Sequence, residues 1–190
     1  MKENRKYLTT YFRKVQDALD SINVDEVNNL VNEILSIRRN GNTLFIAGNG
    51  GSASTASHFA TDLGIGSLAK LNPIRAISLC DNASVITAVA NDLNFVNIFD
   101  RQLKLLGKPN DLLVLISASG NSENLLRVLE TAKFMNIRVF SLTGFDGGKL
   151  KKLTLDFNIH INTPIGEYGV VEDIHLSICH SVTQCIRLNL

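Results

Sequence analysis

The sequence predicts an α/β protein in which helices cover both faces of a five-stranded parallel β-sheet, with a helical arm before the sheet. Two observations support this fold class. After Gly41, short apolar runs rich in β-branched residues alternate with stretches of helical periodicity. Most of these runs are nearly continuous, which is typical of strands buried on both faces. The short connections from strand to helix to strand favour a parallel order.

The arm comprises residues 1–40, which contain no glycine or proline between positions 3 and 39. Apolar residues recur there at spacings of three and four, so we predict two amphipathic helices. The helices break near Asn23, and either Asn23 or Asp25 could cap the second one. Such an arm packs either on a neighbouring subunit or on its own domain. We expect a single domain over residues 1–190 that includes this arm.

The body that follows the arm consists of alternating elements. The apolar runs predict strands at 43–47, 74–79, 112–116, 139–142 and 157–161. The stretches between and after them predict helices at about 53–63, 83–91, 97–107, 121–136 and 171–188. Parallel sheets of this kind bind ligands at the carboxyl ends of their strands. We therefore expect the chemistry just after the apolar runs.

Composition excludes several classes of protein. The 190 residues are 45% hydrophobic, which is enough to bury a sizeable core. With 19 basic and 18 acidic residues, the net charge of +1 supplies no strong basic field for nucleic acid or an anionic membrane. No apolar run approaches the roughly 18 residues of a membrane span, and the N-terminus lacks the apolar segment of a secretory signal. The three cysteines lack metal-ligand spacing, which agrees with a cytoplasmic location.

A glycine-rich segment follows the first predicted strand, and we call it the glycine loop: Gly48, Asn49, Gly50, Gly51 and Ser52. Glycines let the backbone approach a ligand closely, and the free N–H groups of the next helix attract phosphate. The loop matches neither the dinucleotide-binding nor the Walker pattern. A tight strand-to-helix turn without a ligand is the alternative interpretation.

A serine-rich segment follows the third predicted strand, and we call it the serine loop: Ser117, Ala118, Ser119, Gly120, Asn121 and Ser122. Its hydroxyls and the following helix N-terminus can surround a phosphate without a cation. Neither loop contains Lys or Arg, which favours a phosphomonoester of a neutral metabolite. Further along, Gly144, Gly147 and Gly148 indicate turns, and we assign no chemistry to them.

Two histidines are candidates for metal binding or proton transfer. His58 and Asp62 are four residues apart and share one helix face, where they could hold a metal, pair an acid with a base, or form a surface ion pair. His180 lies in a helix predicted to be largely buried, so its ring needs a partner. In an ideal helix Asp173 lies about 20° from His180 and Glu172 about 80°, which favours Asp173.

Four further polar residues remain open or indicate structure. Asn91 and Asp92 either end a helix or bind substrate hydroxyls. His160, within a strand pattern, indicates a structural residue. His175 lies about 140° from His180 around the helix, which favours a structural or supporting role.

Several motifs, in this order, resemble the sugar-isomerase (SIS) domain family, and within it the phosphoheptose isomerases. The resemblance covers nearly the whole chain. The residues that carry it are GNGGSASTASHFATDL (48–63), AVANDL (88–93), FDRQLKLLG (99–107), SASGNS (117–122), LTGFDGG (142–148) and EDIHLSICH (172–180).

The resemblance implies a flavodoxin-like three-layer sandwich and a homotetramer with sites between subunits. It implies one zinc ion per subunit, held among His58, Asp62, Glu172 and His180. It also implies a set of contacts to the sugar and its phosphate: Asn49, Gly50, Gly51, Ser52, Asn91, Asp92, Ser117, Ala118, Ser119, Ser122 and Glu172.

The implied activity is conversion of sedoheptulose 7-phosphate to D-glycero-D-manno-heptose 7-phosphate through an enediol, for nucleotide-activated heptose used in lipopolysaccharide or capsule. His180 would be the general base and Asp62 the general acid. The resembling isomerases have Glu at position 62 and Gln at position 172. Two alternatives remain: an isomerase of another sugar phosphate, and a non-catalytic protein that binds sugar phosphates or associates with the replication initiator.

Overall fold

The computed structural model describes residues 2–67 and 73–188. Its centre is one sheet of five parallel strands, in the order β2-β1-β3-β4-β5. The strands are β1 (Thr43–Gly48), β2 (Arg75–Ser78), β3 (Leu112–Ser117), β4 (Arg138–Thr143) and β5 (Asn158–His160). The predicted α/β class with five parallel strands is confirmed.

Eight α-helices accompany the strands in the described part of the chain. They are α1 (Lys2–Asp20), α2 (Val24–Arg39), α3 (Gly51–Ser67), α4 (Ala83–Asp92), α5 (Asp100–Leu106), α6 (Glu123–Phe134), α7 (Gly148–Thr154) and α8 (Tyr168–Leu188). A short 3₁₀ turn at Phe95–Asn97 precedes α5. No described helix has the length and apolar character needed to cross a membrane.

The helices form two layers, one on each face of the sheet. Successive side chains of a strand point to opposite faces, so Leu44 and Ile46 pack against α2, α3 and α8. Phe45 and Ala47 of the same strand pack with α5 and α6 on the other face. Because both faces of β1 and β3 are covered, these two strands are buried throughout. The predicted three-layer sandwich is confirmed.

One prediction about the elements is wrong, and one helix is missing from the predictions. The strand predicted at 74–79 is the shorter edge strand β2, which exposes Arg75 and Ile77 instead of being buried on both faces. Its position at the edge leaves it only one neighbouring strand. Gly147 and Gly148 do form the predicted turn, with φ of +82 and +54, but the helix α7 that begins at Gly148 was not predicted. Seven residues are too few for helical periodicity to stand out.

The arm packs on its own domain through α8. Asn23 is the cap of α2, since its Oδ1 accepts a hydrogen bond from Asp25 N at 3.0 Å. Tyr11 Oη donates to Asp173 Oδ2 at 2.7 Å, and this hydrogen bond to a carboxylate raises the pKa of Tyr11 to about 12. Lys14 forms an ion pair with Glu167, just before α8.

His175 lies on the inner face of α8 and is fully buried. Burial lowers its pKa from the ordinary 6.5 to about 4, an effect that the nearby Thr143 backbone only partly offsets. The folded protein therefore keeps this imidazole neutral at pH values where the unfolded chain would bind a proton.

We expect the free energy of unfolding to fall as the pH drops from 6.5 towards 4, with His175 contributing on the order of 3 kcal/mol to the loss. His175→Leu should flatten this part of the profile, because leucine does not titrate. Urea unfolding at several pH values measures the difference. Identical slopes for the two proteins would contradict the assignment.

Candidate active site

The two predicted loops meet because the strands before them are neighbours. Gly48 of β1 is in register with Ile116 of β3, so the glycine and serine loops leave the sheet side by side. The chain passes from β1 to β2 on one side and returns to β3 on the other, which makes this the switch point where such sheets bind ligands. A cavity of about 140 Å³ lies there, lined by Asn49, Ser52, Ile116, Ser117, Ala118, Ser119, Ser122, Leu125, Tyr168 and Glu172.

The hydroxyl groups of the serine loop are free to donate hydrogen bonds into this cavity. Ser117 Oγ accepts a bond from Gly120 N at 3.0 Å, and Ser119 Oγ accepts one from Asn121 N at 3.3 Å. Ser122 caps α6 without using its side chain. Because a hydroxyl that accepts a bond still has its own hydrogen, all three serines can donate to an anion. The first N–H groups of α6 add to this donor set.

The glycine pair before α7 supports the serine loop, although the sequence predicted only turns there. Gly120 has φ +63, and a Cβ at this position would collide with the carbonyl of Gly147. Lys149 N donates to Asn121 Oδ1 at 3.1 Å, and Leu150 N donates to Gly120 O at 2.9 Å. The start of α7 therefore holds the serine loop in place through these two hydrogen bonds.

A second polar group lies between α3 and α8. His58 Nε2 and His180 Nε2 are 3.5 Å apart, and Asp62 Oδ2 lies 3.6 Å from His58 Nε2 and 3.9 Å from His180 Nε2. One ligand atom from each of the three residues lies within 4.8 Å of the others. Two imidazole nitrogens and a carboxylate are a donor set that divalent zinc accepts, with room for a further ligand. The residues therefore fit a metal ion.

Two expectations about α8 are corrected. Glu172 does not join His58, Asp62 and His180 in the group that the described residues form. It lies eight residues before His180, about 12 Å along the helix, and its carboxylate covers Gly51 at the wall of the cavity. Asp173 is not the partner of His180 either, because it accepts the hydrogen bond from Tyr11 of the arm.

The remaining predicted residues lie in different places. Gly50 has φ +56 in the turn before α3, and Gly51 begins that helix. Asn91 and Asp92 lie exposed at the end of α4, where Asn91 Nδ2 donates to Asp92 Oδ1 at 3.0 Å. Neither of them lines the cavity between the two loops.

Sequence reasoning missed two residues of this site. Tyr168 lines the cavity and packs edge to face on Phe145, with ring centroids 4.9 Å apart. Asn124 pairs with Asn49 beside the cavity. An asparagine in the first turn of a helix gives no signal of this pairing, because its partner is 75 residues away in the chain.

Residues 10–144 match the sequence model of the SIS domain family. The chain belongs to this family. A protein from Thermoplasma acidophilum named "Probable phosphoheptose isomerase" is 33% identical over 176 residues, which are 93% of this chain and 95% of that protein. The phosphoheptose isomerase of Helicobacter pylori is 39% identical over 148 residues, 78% of this chain and 76% of the enzyme. These relatives confirm the predicted enzyme class, an isomerase.

The solved structure of phosphoheptose isomerase GmhA from Neisseria gonorrhoeae has the same fold. It superposes with a TM-score of 0.86 at 30% identity, over 98% of this SIS chain and 97% of that one. A phosphoheptose isomerase from Francisella tularensis gives a TM-score of 0.84 at 28% identity, with the same coverage of 98% and 97%.

We expect the group of His58, Asp62 and His180 to bind a divalent cation. His58→Ala should weaken Zn²⁺ binding by at least about tenfold, because it removes one of three ligand atoms. Elemental analysis after dialysis and isothermal titration measure the effect. His160→Ala is the matched control, since His160 lies in β5 and its Nδ1 contacts Thr143 Oγ1 instead. Equal metal content in the two variants would contradict the assignment.

Proposed function

We propose that this SIS protein converts sedoheptulose 7-phosphate to D-glycero-D-manno-heptose 7-phosphate. The observation that carries the proposal is the separation of two features along α3. A phosphate-sized pocket of hydrogen-bond donors lies at the N-terminus of α3, and the group of His58, Asp62 and His180 lies beside a later part of the same helix. Ser52 and His58 are six residues apart, about 9 Å along the helix. This separation suits an extended seven-carbon chain whose phosphate and carbonyl lie at opposite ends.

The phosphate binds among neutral donors. The hydroxyls of Ser117, Ser119 and Ser122 and the N-termini of α3 and α6 offer hydrogen bonds that fit its oxygens. Among the residues that the structure describes, no Lys or Arg lines the pocket. A pocket of neutral donors suits a phosphomonoester, whose charge is shared over several hydrogen bonds, better than a polyphosphate.

His180 and Asp62 carry the proton transfers. In the ketose-to-aldose direction His180 Nε2 removes a proton from C1 and returns one to C2, so the carbon skeleton stays intact through the enediol. Asp62 serves the two oxygens, giving a proton to the former carbonyl and accepting one from the other hydroxyl. The His180 side chain is 47% exposed and the Asp62 side chain 26% exposed, so a substrate can reach both groups.

Zinc is the proposed metal, with one ion held by His58, Asp62 and His180. When bound, it would polarise the substrate carbonyl and stabilise negative charge on its oxygen. Glu172, where the resembling isomerases have Gln, would face the sugar from the pocket wall. Its carboxylate can accept hydrogen bonds from sugar hydroxyls and adds negative charge near the phosphate.

We further propose one SIS domain over residues 1–190, a cytoplasmic homotetramer, and a role in making nucleotide-activated heptose for surface glycans. The exposed apolar side chains of Tyr7, Leu8 and Phe12 on α1 support association between copies. In such an assembly Asn91 and Asp92, which lie outside their own chain's pocket, would contact substrate in a neighbouring subunit.

Purified, zinc-loaded protein should isomerise sedoheptulose 7-phosphate. His180→Ala should lower kcat by about 10²–10⁴-fold, the usual contribution of a general base. A coupled assay or ¹H NMR of the product measures turnover. No turnover with metal verified as bound would reject this substrate, and other sugar phosphates and then protein partners would be tested next.

Ser119→Ala should act mainly on substrate binding. Loss of one hydrogen bond to the charged phosphate should raise KM roughly tenfold to a hundredfold and change kcat less. Ser177→Ala is the control, because the Ser177 hydroxyl bonds only to the Asp173 carbonyl within α8. A fall in kcat at unchanged KM would place Ser119 outside the phosphate site.

A further inference from the structure

Asn49 and Asn124 form a reciprocal pair of side-chain hydrogen bonds between the two loops. Asn124 Nδ2 donates to Asn49 Oδ1 at 2.8 Å, and Asn49 Nδ2 donates to Asn124 Oδ1 at 2.9 Å. Asn124 is only 2% exposed, and it is absent from the lining of the cavity. Asn49 does line the cavity. The Asn124 side chain can therefore affect a ligand only through its partner.

The pair fixes the orientation of the Asn49 amide. A side-chain amide has two N–H donors and an oxygen that accepts two bonds, and the reciprocal pair uses one donor and one acceptor site of each residue. Rotating either amide by 180° would bring oxygen against oxygen and nitrogen against nitrogen. Asn49 therefore keeps its second N–H, which the pair does not use, in a defined direction.

The pair also links the two loops. Asn124 lies in the first turn of α6, two residues after Ser122, so its position is tied to the serine loop. Asn49 precedes Gly50, whose φ of +56 is a left-handed conformation that favours glycine. The backbone hydrogen bond from Ser52 N to Asn49 O, 3.0 Å long, links this turn to α3 and does not reach the serine loop.

We propose that Asn124 is a positioning residue of the cavity between the two loops. Its side chain holds Asn49 and the glycine loop at the distance from the serine loop that a phosphate requires. Donors that are fixed before the ligand arrives lose less conformational freedom on binding. The inference rests on the proposed function in taking a phosphomonoester as the ligand.

The test uses Asn124→Leu, which keeps the volume and removes both hydrogen bonds. We expect the Kd of the full-length protein for inorganic phosphate, measured by isothermal titration, to rise about tenfold. The KM for sedoheptulose 7-phosphate should rise by a similar factor while kcat changes less. Asn124→Ala provides a second variant if the leucine does not fold.

Asn158→Leu is the matched control for a general loss of stability. Asn158 is an equally buried asparagine, 5% exposed, that bonds to Ser141 and Thr143 far along the sheet from the glycine loop. This variant should lose thermal stability as Asn124→Leu does, yet bind phosphate as the wild type does.

A double-mutant cycle separates positioning from direct binding. If Asn124 acts through Asn49, then Asn124→Leu should weaken phosphate binding little further in an Asn49→Ala background. Wild-type affinity in Asn124→Leu, or equal weakening in Asn158→Leu, would overturn the positioning role alone. Failure of the wild type to bind either phosphate or the sugar phosphate would overturn the proposed function as well.

Discussion

All five strands run in the same direction, so every loop that follows a strand opens at one edge of the sheet. This constraint places the glycine loop beside the serine loop, because β1 and β3 are neighbours while their helices diverge to opposite faces. It also aims the N-termini of α3 and α6 at the same space. The cavity between the two loops is thus a consequence of strand order, and the two loops need only supply small residues and hydroxyls.

Helix α8 connects the other parts of the site to this pocket. Its first turns carry Tyr168 and Glu172 to the pocket wall, and His180 lies two turns further on, against α3. The arm contacts the same helix through Tyr11, and Lys14 pairs with Glu167 just before the helix begins. The buried face of α8 packs on the sheet, so the phosphate end and the reacting end of a substrate would be held by one rigid element.

The two ends of the site differ in the charge of their side chains. In the described part of the chain the pocket offers neutral donors and one carboxylate, that of Glu172. The imidazoles and Asp62 lie together about 9 Å further along α3. Neutral donors can bind a phosphate without a cation that would pair with Asp62. Asn124, which touches neither end, keeps the donors of the first loop in place through Asn49.

Features that depend only on residues close together in the sequence could be predicted from it. The five strands, the arm helices with a cap at Asn23 or Asp25, and both loops follow from periodicity and from local residue types. His58 and Asp62 share a face for the same reason, since four residues make about one helical turn.

Only the tertiary structure decided which of these local pieces meet. His180 pairs with His58 across 122 positions of sequence, although helical geometry favoured Asp173 of the same helix. Glu172 lies at the pocket instead of the metal group because the rise of α8 carries it about 12 Å from His180. The pair of Asn49 and Asn124 and the exposure of β2 likewise depend on strand order. Such contacts form between segments that are distant in sequence, where periodicity and spacing contain no information about the partner.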